Sequence, residues 1–438
     1  MSELDDLRSA AAAKLDAQAA RAREYQAYYD NEAGIIAILD TEERRTFRTL
    51  LDEAGASWCE LVVNAVAERL SVTGFRFGSD DDDELAWAIW QASSMDADHE
   101  LVHTDALVTG QSFVLVAPDD DNPTGVSITV ESPLEAVVLY EPGNRRKRRA
   151  GFKRWSEDGG QTTTDVLILP DEIVTWHPKA RGPEVERNAG DTLIEVVPQP
   201  RTSRWPRSEL APAIPFQDRI CTTLFNRLVA TDYGAFRQIW ATGIKIASEV
   251  STTEDGSQVT KVRRPFDIGA NRLLTNQNPE GRFGSFPEST LAGYLSAVEQ
   301  DVNHLAAVTQ TPPTYLLGSM VNLSAEAITA AEAGLVAKIR RRSLHIGEAW
   351  EEVERTALGL VGSPAATNLG AEVIWADFET RSIAQLADSL VKMRSLGVPL
   401  EALWERYGAT QEEIDRWREQ RAAELANAAP EPQGAPAP

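Results

Sequence analysis

The chain has 438 residues, 42% hydrophobic and 25% charged, enough apolar side chain for a sizeable core. Asp and Glu number 67 against 43 Lys and Arg, a net charge of −24, which excludes a protein that grips nucleic acid by massed cations but not one whose surface repels a polyanion. No apolar run reaches the ~18–20 residues of a membrane span. The charged start MSELDDLRSAAAAKLDAQ has no signal-peptide core, and two isolated cysteines, Cys59 and Cys221, exclude a disulfide framework or zinc knuckle and point to a cytoplasmic folding environment.

The spacing of Leu4, Leu7, Ala11, Leu15 and Ala22 predicts a helix over 1–30. A second is predicted over 41–70, capped by Thr41, with Phe47, Leu50, Leu51, Trp58, Leu61, Val62 and Val66 in one stripe. The acidic turn at 80–83 opens a helical pair to about 109, closed by Gly110. From 112 to 200 the period changes. SFVLVAP, GVSITVES, EAVVLYEP, AGFKRW, TTDVLILP, EIVTWHP and TLIEVVPQ read as strands of an antiparallel sheet, and the fold class is α+β. Pro206 to Pro215 reads as a loop and 216–240 as a long helix. Residues 241–287 are polar and turn-rich, with IKIAS and TKVRR as short strands, and a helix returns over 288–309. Residues 310–323 read as a loop, because Pro312 and Pro313 cannot sit inside a helix. Asn322 or Ser324 caps a helix to about Leu360. A lone strand at 372–378, helices at 381–396, 399–407 and 410–426, and a disordered tail complete the chain.

The sharpest catalytic pattern is His99-Glu100-Leu101-Val102-His103, an HExxH on a helix. That spacing sets two imidazoles on one face, as zinc needs, with Glu100 as general base. It supports a zinc hydrolase as the competing function, but the HTDALVTG that follows supplies no third histidine, so the expectation is no metal and no cofactor, with His99 and His103 beside a core stripe of Leu101, Ala106 and Leu107. The runs Asp80–Asp83 and Asp119–Asp121 lack EF-hand order and read as a solvated helix start and a hairpin turn. Arg145-Arg146-Lys147-Arg148-Arg149 reads as a charged hairpin tip. Lys338, Arg340, Arg341 and Arg342 lie mid-helix among acids and read as ion pairs with neighbouring helices or subunits. No phosphate-binding G-x-x-x-x-G-K-[ST], dinucleotide or nucleophile-elbow motif occurs, so residue chemistry points away from an enzyme.

Co-linear segments carry more information than any motif. SWCELVVNAVAERLSVTGFRF, HELVHTDALVTGQSFVLVAP, ESPLEAVVLYEPGNRRKRRAGFKRW, SELAPAIPFQDRICTTLFNRLVATDYGAFRQIWATG and LAAVTQTPPTYLLGSMVNLSAEAITAAEAGLVAKI resemble portal (connector) proteins of tailed bacteriophages, of the long-tailed type with GC-rich hosts. The likeness covers about residues 20–400, departing at YYDNEAGIIAI and in the tail.

The resemblance implies a ring, usually a dodecamer, at one capsid vertex of the virion, assembled in the host cytoplasm. Double-stranded DNA passes through without sequence specificity. The implied partners are terminase, head-completion or adaptor protein, major capsid protein and scaffold. The implied parts are an N-terminal helical arm (1–24), an α/β wing (25–215), stem helices (216–240 and 288–309) and a clip (241–287). A tunnel loop (310–323), a channel-side helix with a returning wing strand (324–378) and a helical crown (379–426) follow, then the tail (427–438). Pro312, Pro313, Tyr315, Gly318, Ser319 and Asn322 are then the DNA-channel residues. Lys338, Arg340, Arg341 and Arg342 become channel or intersubunit cations, and Lys261, Arg263 and Arg264 the docking residues of the clip.

Overall fold

The computed structural model describes residues 3–32, 55–156, 159, 162–200, 206–235, 239–242, 248–252, 258–262, 280–285, 290–318, 325–379, 383–409 and 411–428. The chain opens with α1 (Glu3–Tyr29), α2 (Trp58–Ala67), β1 (Val72–Arg76), α3 (Asp80–Ala92) and α4 (Met95–Thr109). Strands β2 (Ser112–Pro118), β3 (Val126–Glu131), β4 (Ala136–Glu141), β5 (Asn144–Trp155), β6 (Thr164–Ile168), β7 (Glu172–Trp176), β8 (Glu184–Arg187) and β9 (Thr192–Val196) follow. Then come α5 (Ile214–Ala235), β10 (Ile239–Thr242), β11 (Ser248–Thr252), β12 (Gln258–Val262), β13 (Arg282–Ser285), α6 (Ala292–Thr309) and α7 (Pro313–Leu317). The chain continues as α8 (Ala325–Leu360), β14 (Glu372–Trp375), α9 (Ile383–Ser395), α10 (Leu400–Tyr407) and α11 (Gln411–Ala428).

The β-rich stretch forms two antiparallel sheets, one ordered β3-β2-β9 and one ordered β4-β5-β6-β7-β8. Helix α1 lies on the larger sheet, where Leu7, Ala11 and Leu15 pack with Val137, Phe152, Leu167, Val174 and Trp176. Polar groups fix its register: Gln18 Nε2 donates to the carbonyls of Pro133 and Ala136, at 2.7 and 2.8 Å, and Lys14 Nζ to that of Val138. The buried Asp165 carboxylate takes Arg8 from α1 and Arg154 from β5, each at 2.7 Å. The main core gathers α2, β1, α3, α4, the smaller sheet and α8. Helix α8 packs on β2, β3, β9, β14 and α3, so a single 36-residue helix ties the layers together. β14 pairs antiparallel with β1, about 300 residues earlier in the chain, closing the long excursion.

Several boundaries differ from expectation for local reasons. The described part of the helix expected over 41–70 begins at Trp58, because Ser57 is extended and its side chain accepts from the Glu60 amide as an N-cap. Residues 33–54 lie outside the described residues. The four aspartates at 80–83 are the first turn of α3 rather than a turn before it, capped by Ser79, where they meet the positive end of the helix dipole. The expected stem helix stops at Ala235, and Ile239–Thr242 is a strand paired with β13. The basic run is no hairpin tip. The turn is at Pro142–Gly143, and the run belongs to β5. The register jumps from Glu141↔Asn144 to Tyr140↔Arg148, so 145–147 bulge. Strand β8 escaped the sequence reading because it is a wholly exposed polar edge strand without alternation. Pro313 begins α7, since proline at the first helical position loses no hydrogen bond. The expected caps Asn322 and Ser324, and the tail beyond Ala428, lie outside the described residues.

Candidate functional site

The HExxH motif sits on α4 as the spacing requires, but its histidines face inward. His99 is 4% exposed and His103 fully buried, while Glu100 is exposed on the opposite side. His99 Nδ1–H donates to the Met95 carbonyl at 2.7 Å, and His103 Nε2 accepts from Trp350 Nε1 at 2.8 Å. The histidine rings pack against Trp90, Trp350 and Trp375 at centroid distances of 5.7–5.9 Å. Burial, and then the neighbouring His99, pulls His103 down to about 3, so it remains neutral. No three His, Cys, Asp or Glu side chains converge as a metal set among the described residues. A buried, tryptophan-bonded imidazole has no open coordination position, so the zinc-hydrolase alternative finds no support here.

The four cations of α8 divide by helical phase. Lys338 and Arg342, four apart, share the inner face and are 4% and 7% exposed. Both meet Glu209, at 3.0 and 2.6 Å. Lys338 Nζ also donates to the Thr309 carbonyl, and Gln199 Nε2 donates to Glu209. Burial alone would raise the Glu209 carboxyl; the charges of Lys338 and then Arg342 outweigh it and hold the group below its usual range. The expectation that these two cations line a channel or subunit boundary is therefore corrected: they close a knot inside the subunit. Arg340 faces out and pairs with Glu379 at 2.7 Å, while Arg341 is exposed without an ion pair among the described residues.

Glu209 reaches this position through a backbone contact the sequence did not signal. Gly110, at φ +93°, ends α4, and a Cβ there would lie 2.9 Å from the Arg207 carbonyl carbon. Lacking one, it lets 206–209 run along the helix end. Ser208 Oγ donates to the Val108 carbonyl and the Glu209 amide to that of Leu107.

Of the expected tunnel loop, residues 310–318 are described and pack within the subunit. Pro312 is buried, Pro313 is exposed at the start of α7, and Gly318 closes α7 at φ +63°. Trp58 Nε1 donates to the Leu316 carbonyl at 3.0 Å. Tyr315 is held between Arg69 and Glu332, donating to the latter at 2.9 Å. Arg69 and Glu332 also pair directly at 3.0 Å. This clamp ties Tyr315, expected as a DNA-channel residue, to two side chains of its own subunit. Sequence spacing could not reveal it, because its members are 246 and 17 residues apart. Ser319 and Asn322 lie outside the described residues. In the expected clip, Lys261 stands opposite Glu249 in the β11–β12 hairpin, while Arg263 and Arg264 lie outside the described residues.

Comparison with known proteins agrees with the co-linear resemblance. Residues 10–426 match the family described as "Phage portal protein, SPP1 Gp6-like". The portal protein of Mycobacterium phage D29 is 30% identical over 424 residues, covering 92% of this chain and 86% of its own length. That of Mycobacterium phage L5 is 31% identical over 420 residues, covering 90% and 84%. Among solved structures, a chain of the virion of a native gene transfer agent particle aligns with a TM-score of 0.43 at 12% identity, covering 86% of this chain and 94% of that one. A chain from the neck of an empty particle aligns at 0.36, also at 12% identity, covering 76% and 95%. No described helix is long and apolar enough to cross a membrane. With a family match spanning almost the whole chain and two relatives matched over most of their length, the chain belongs to the phage portal protein family, a structural family of the virion capsid.

Proposed function

We propose that copies of this chain close into a ring, a dodecamer in the particle, at one capsid vertex. Double-stranded DNA is packaged and later ejected through its centre. The observation that carries this reading is the continuous family match from residue 10 to residue 426. In it, 25–215 with β14 is the wing, α5 and α6 the stem, 241–287 the clip and α9–α11 the crown. Terminase and then a head-completion protein dock on the clip, near Lys261, Arg263 and Arg264. Capsid and scaffold proteins hold the wing, and assembly takes place in the host cytoplasm. The loop at 310–323 faces the DNA through Ser319 and Asn322, with Pro312–Gly318 as its anchored base. Arg341 is the α8 cation free to meet DNA or a neighbour. A net charge of −24 suits a conduit, because each neutralised phosphate would add sequence-blind affinity and slow the passage of DNA.

The test is electron microscopy and native mass spectrometry of purified protein. Rings with a central hole are expected, and folded protein that stays monomeric or dimeric at micromolar concentration refutes the reading. Replacing 243–281 with a tight turn is expected to leave the subunit folded and block packaging; normal packaging would refute the clip assignment.

A further inference from the structure

We propose that the basic concavity at the start of β5 is a subunit-to-subunit docking surface, and that its occupant is the acidic first turn of α3 on a second copy of this chain. The proposal rests on the ring reading above. The sequence holds one run of five cations, Arg145–Arg149, and one run of five acids, Asp80–Glu84. Within a subunit no ion pair joins the two runs among the described residues: Arg148 goes to Glu352 at 2.6 Å and Arg149 to Glu3 at 3.7 Å, while Asp80 goes to Arg418 at 3.6 Å. Arg146 and Lys147 stay exposed, with no side-chain ion pair among the described residues. They edge a cavity of about 420 Å³ floored by Ile168, Pro170 and Leu193. On the acidic side, Asp81 and Glu84 are exposed with no ion pair among the described residues. They stand three apart on α3, so they project from one face.

Net charge makes such a pairing necessary. Two copies at −24 repel, and a ring needs the same head-to-tail contact repeated, so unlike surfaces must meet at each boundary. The bulge at 145–147 takes Arg146 and Lys147 out of the sheet ladder, and both side chains are exposed. Nucleic acid fits the cavity less well. Carboxylates of Glu352 and Asp191 line the same wall, and a continuous phosphodiester chain would run against them, whereas two discrete carboxylates can meet Arg146 and Lys147.

The experiment is a charge swap in the full-length chain, read by native mass spectrometry and sedimentation over a salt series. Arg146→Glu with Lys147→Glu, and separately Asp81→Lys with Glu84→Lys, should each weaken ring assembly about tenfold or more, most strongly at low salt. Mixing the two variants, or combining all four changes in one chain, should restore rings. All these sites are exposed, and circular dichroism checks that each variant is folded. Rings undiminished in either pair of substitutions, or no rescue on combining them, overturn the proposal. Intact rings with reduced retention on immobilised duplex DNA would make the concavity a phosphate surface and likewise overturn it. If the unaltered chain forms no ring, the ring reading fails and takes this one with it; the charge swap fails alone only where unaltered rings exist.

Discussion

Glu354 is a carboxyl group in the wrong solvent, and its replacement should stabilise the protein. It lies on α8 one turn beyond Trp350, fully buried, and neither oxygen has a hydrogen-bond partner among the described residues. Burial pushes it well above its ordinary value of 4.5, so it is neutral when folded at a pH where the unfolded chain has released the proton. The unfolded state then binds fewer protons, and stability falls as pH rises above 4.5, by about 1.4 kcal/mol per pH unit, until the folded group itself ionises. Glu354→Leu keeps a similar volume and removes both the proton linkage and the unpaired oxygens, so it should gain about 1–4 kcal/mol near neutral pH. Urea denaturation of both proteins, matched in oligomeric state, provides the assay. Asp105, raised to about 6 by burial, and Glu351, raised to about 7 by burial and then Glu348, bend both curves alike, so the readout is the difference between proteins. That difference should widen as pH rises above 4.5. A difference constant with pH, or a leucine variant less stable at pH 6, would refute the reasoning.

Glu209→Gln should cost about 3–5 kcal/mol by leaving Lys338 and Arg342 buried without a carboxylate, and a urea-measured loss below about 1 kcal/mol would show the knot to be unimportant. His103→Phe should act oppositely to Glu354→Leu along the pH axis. The folded value of about 3 lies below the unfolded 6.5, so the unfolded state binds more protons between them and stability falls as pH drops through that window. The variant should lose about 1 kcal/mol at pH 7.5, where Trp350 loses its acceptor, yet show a shallower acid limb; an unchanged limb contradicts the assignment. Gln18→Leu orphans the Pro133 and Ala136 carbonyls and should cost about 2 kcal/mol, seen as faster amide exchange in α1; exchange as slow as in the unaltered protein would mean that α1 does not depend on this contact.

Most helices and strands were legible because period is a local property: the spacing of Leu7, Ala11 and Leu15 and the β-rich run SFVLVAP need nothing from the rest of the chain. What was illegible depends on partners far away in sequence. Phase alone puts Lys338 and Arg342 together, but only the path of 206–209 beneath Gly110 shows that their partner is Glu209, 129 and 133 residues earlier. The HExxH spacing is real, yet its meaning was decided by Trp350, 247 residues from His103, which fills the space a metal would need. The polar strand β8 has no apolar alternation to find, and is specified by the Val174↔Val185 pairing of the neighbouring strand.

The distribution of cations connects the fold to the proposed conduit. A chain with 43 basic residues could still present a DNA-binding face if they were gathered on its surface. Here several are held in ion pairs within the subunit. Arg8 and Arg154 neutralise Asp165, Arg69 clamps Tyr315 to Glu332, Lys153 pairs with Glu131, and Lys338 with Arg342 neutralise Glu209. Each such pair matches a cation to a carboxylate and holds one part of the subunit against another. Asp80–Glu84 and Asp119–Asp121, in contrast, stand largely at the surface. The chain as a whole stays acidic at −24, and the cations held in these ion pairs would have to leave a carboxylate before they could arrest a passing phosphate backbone.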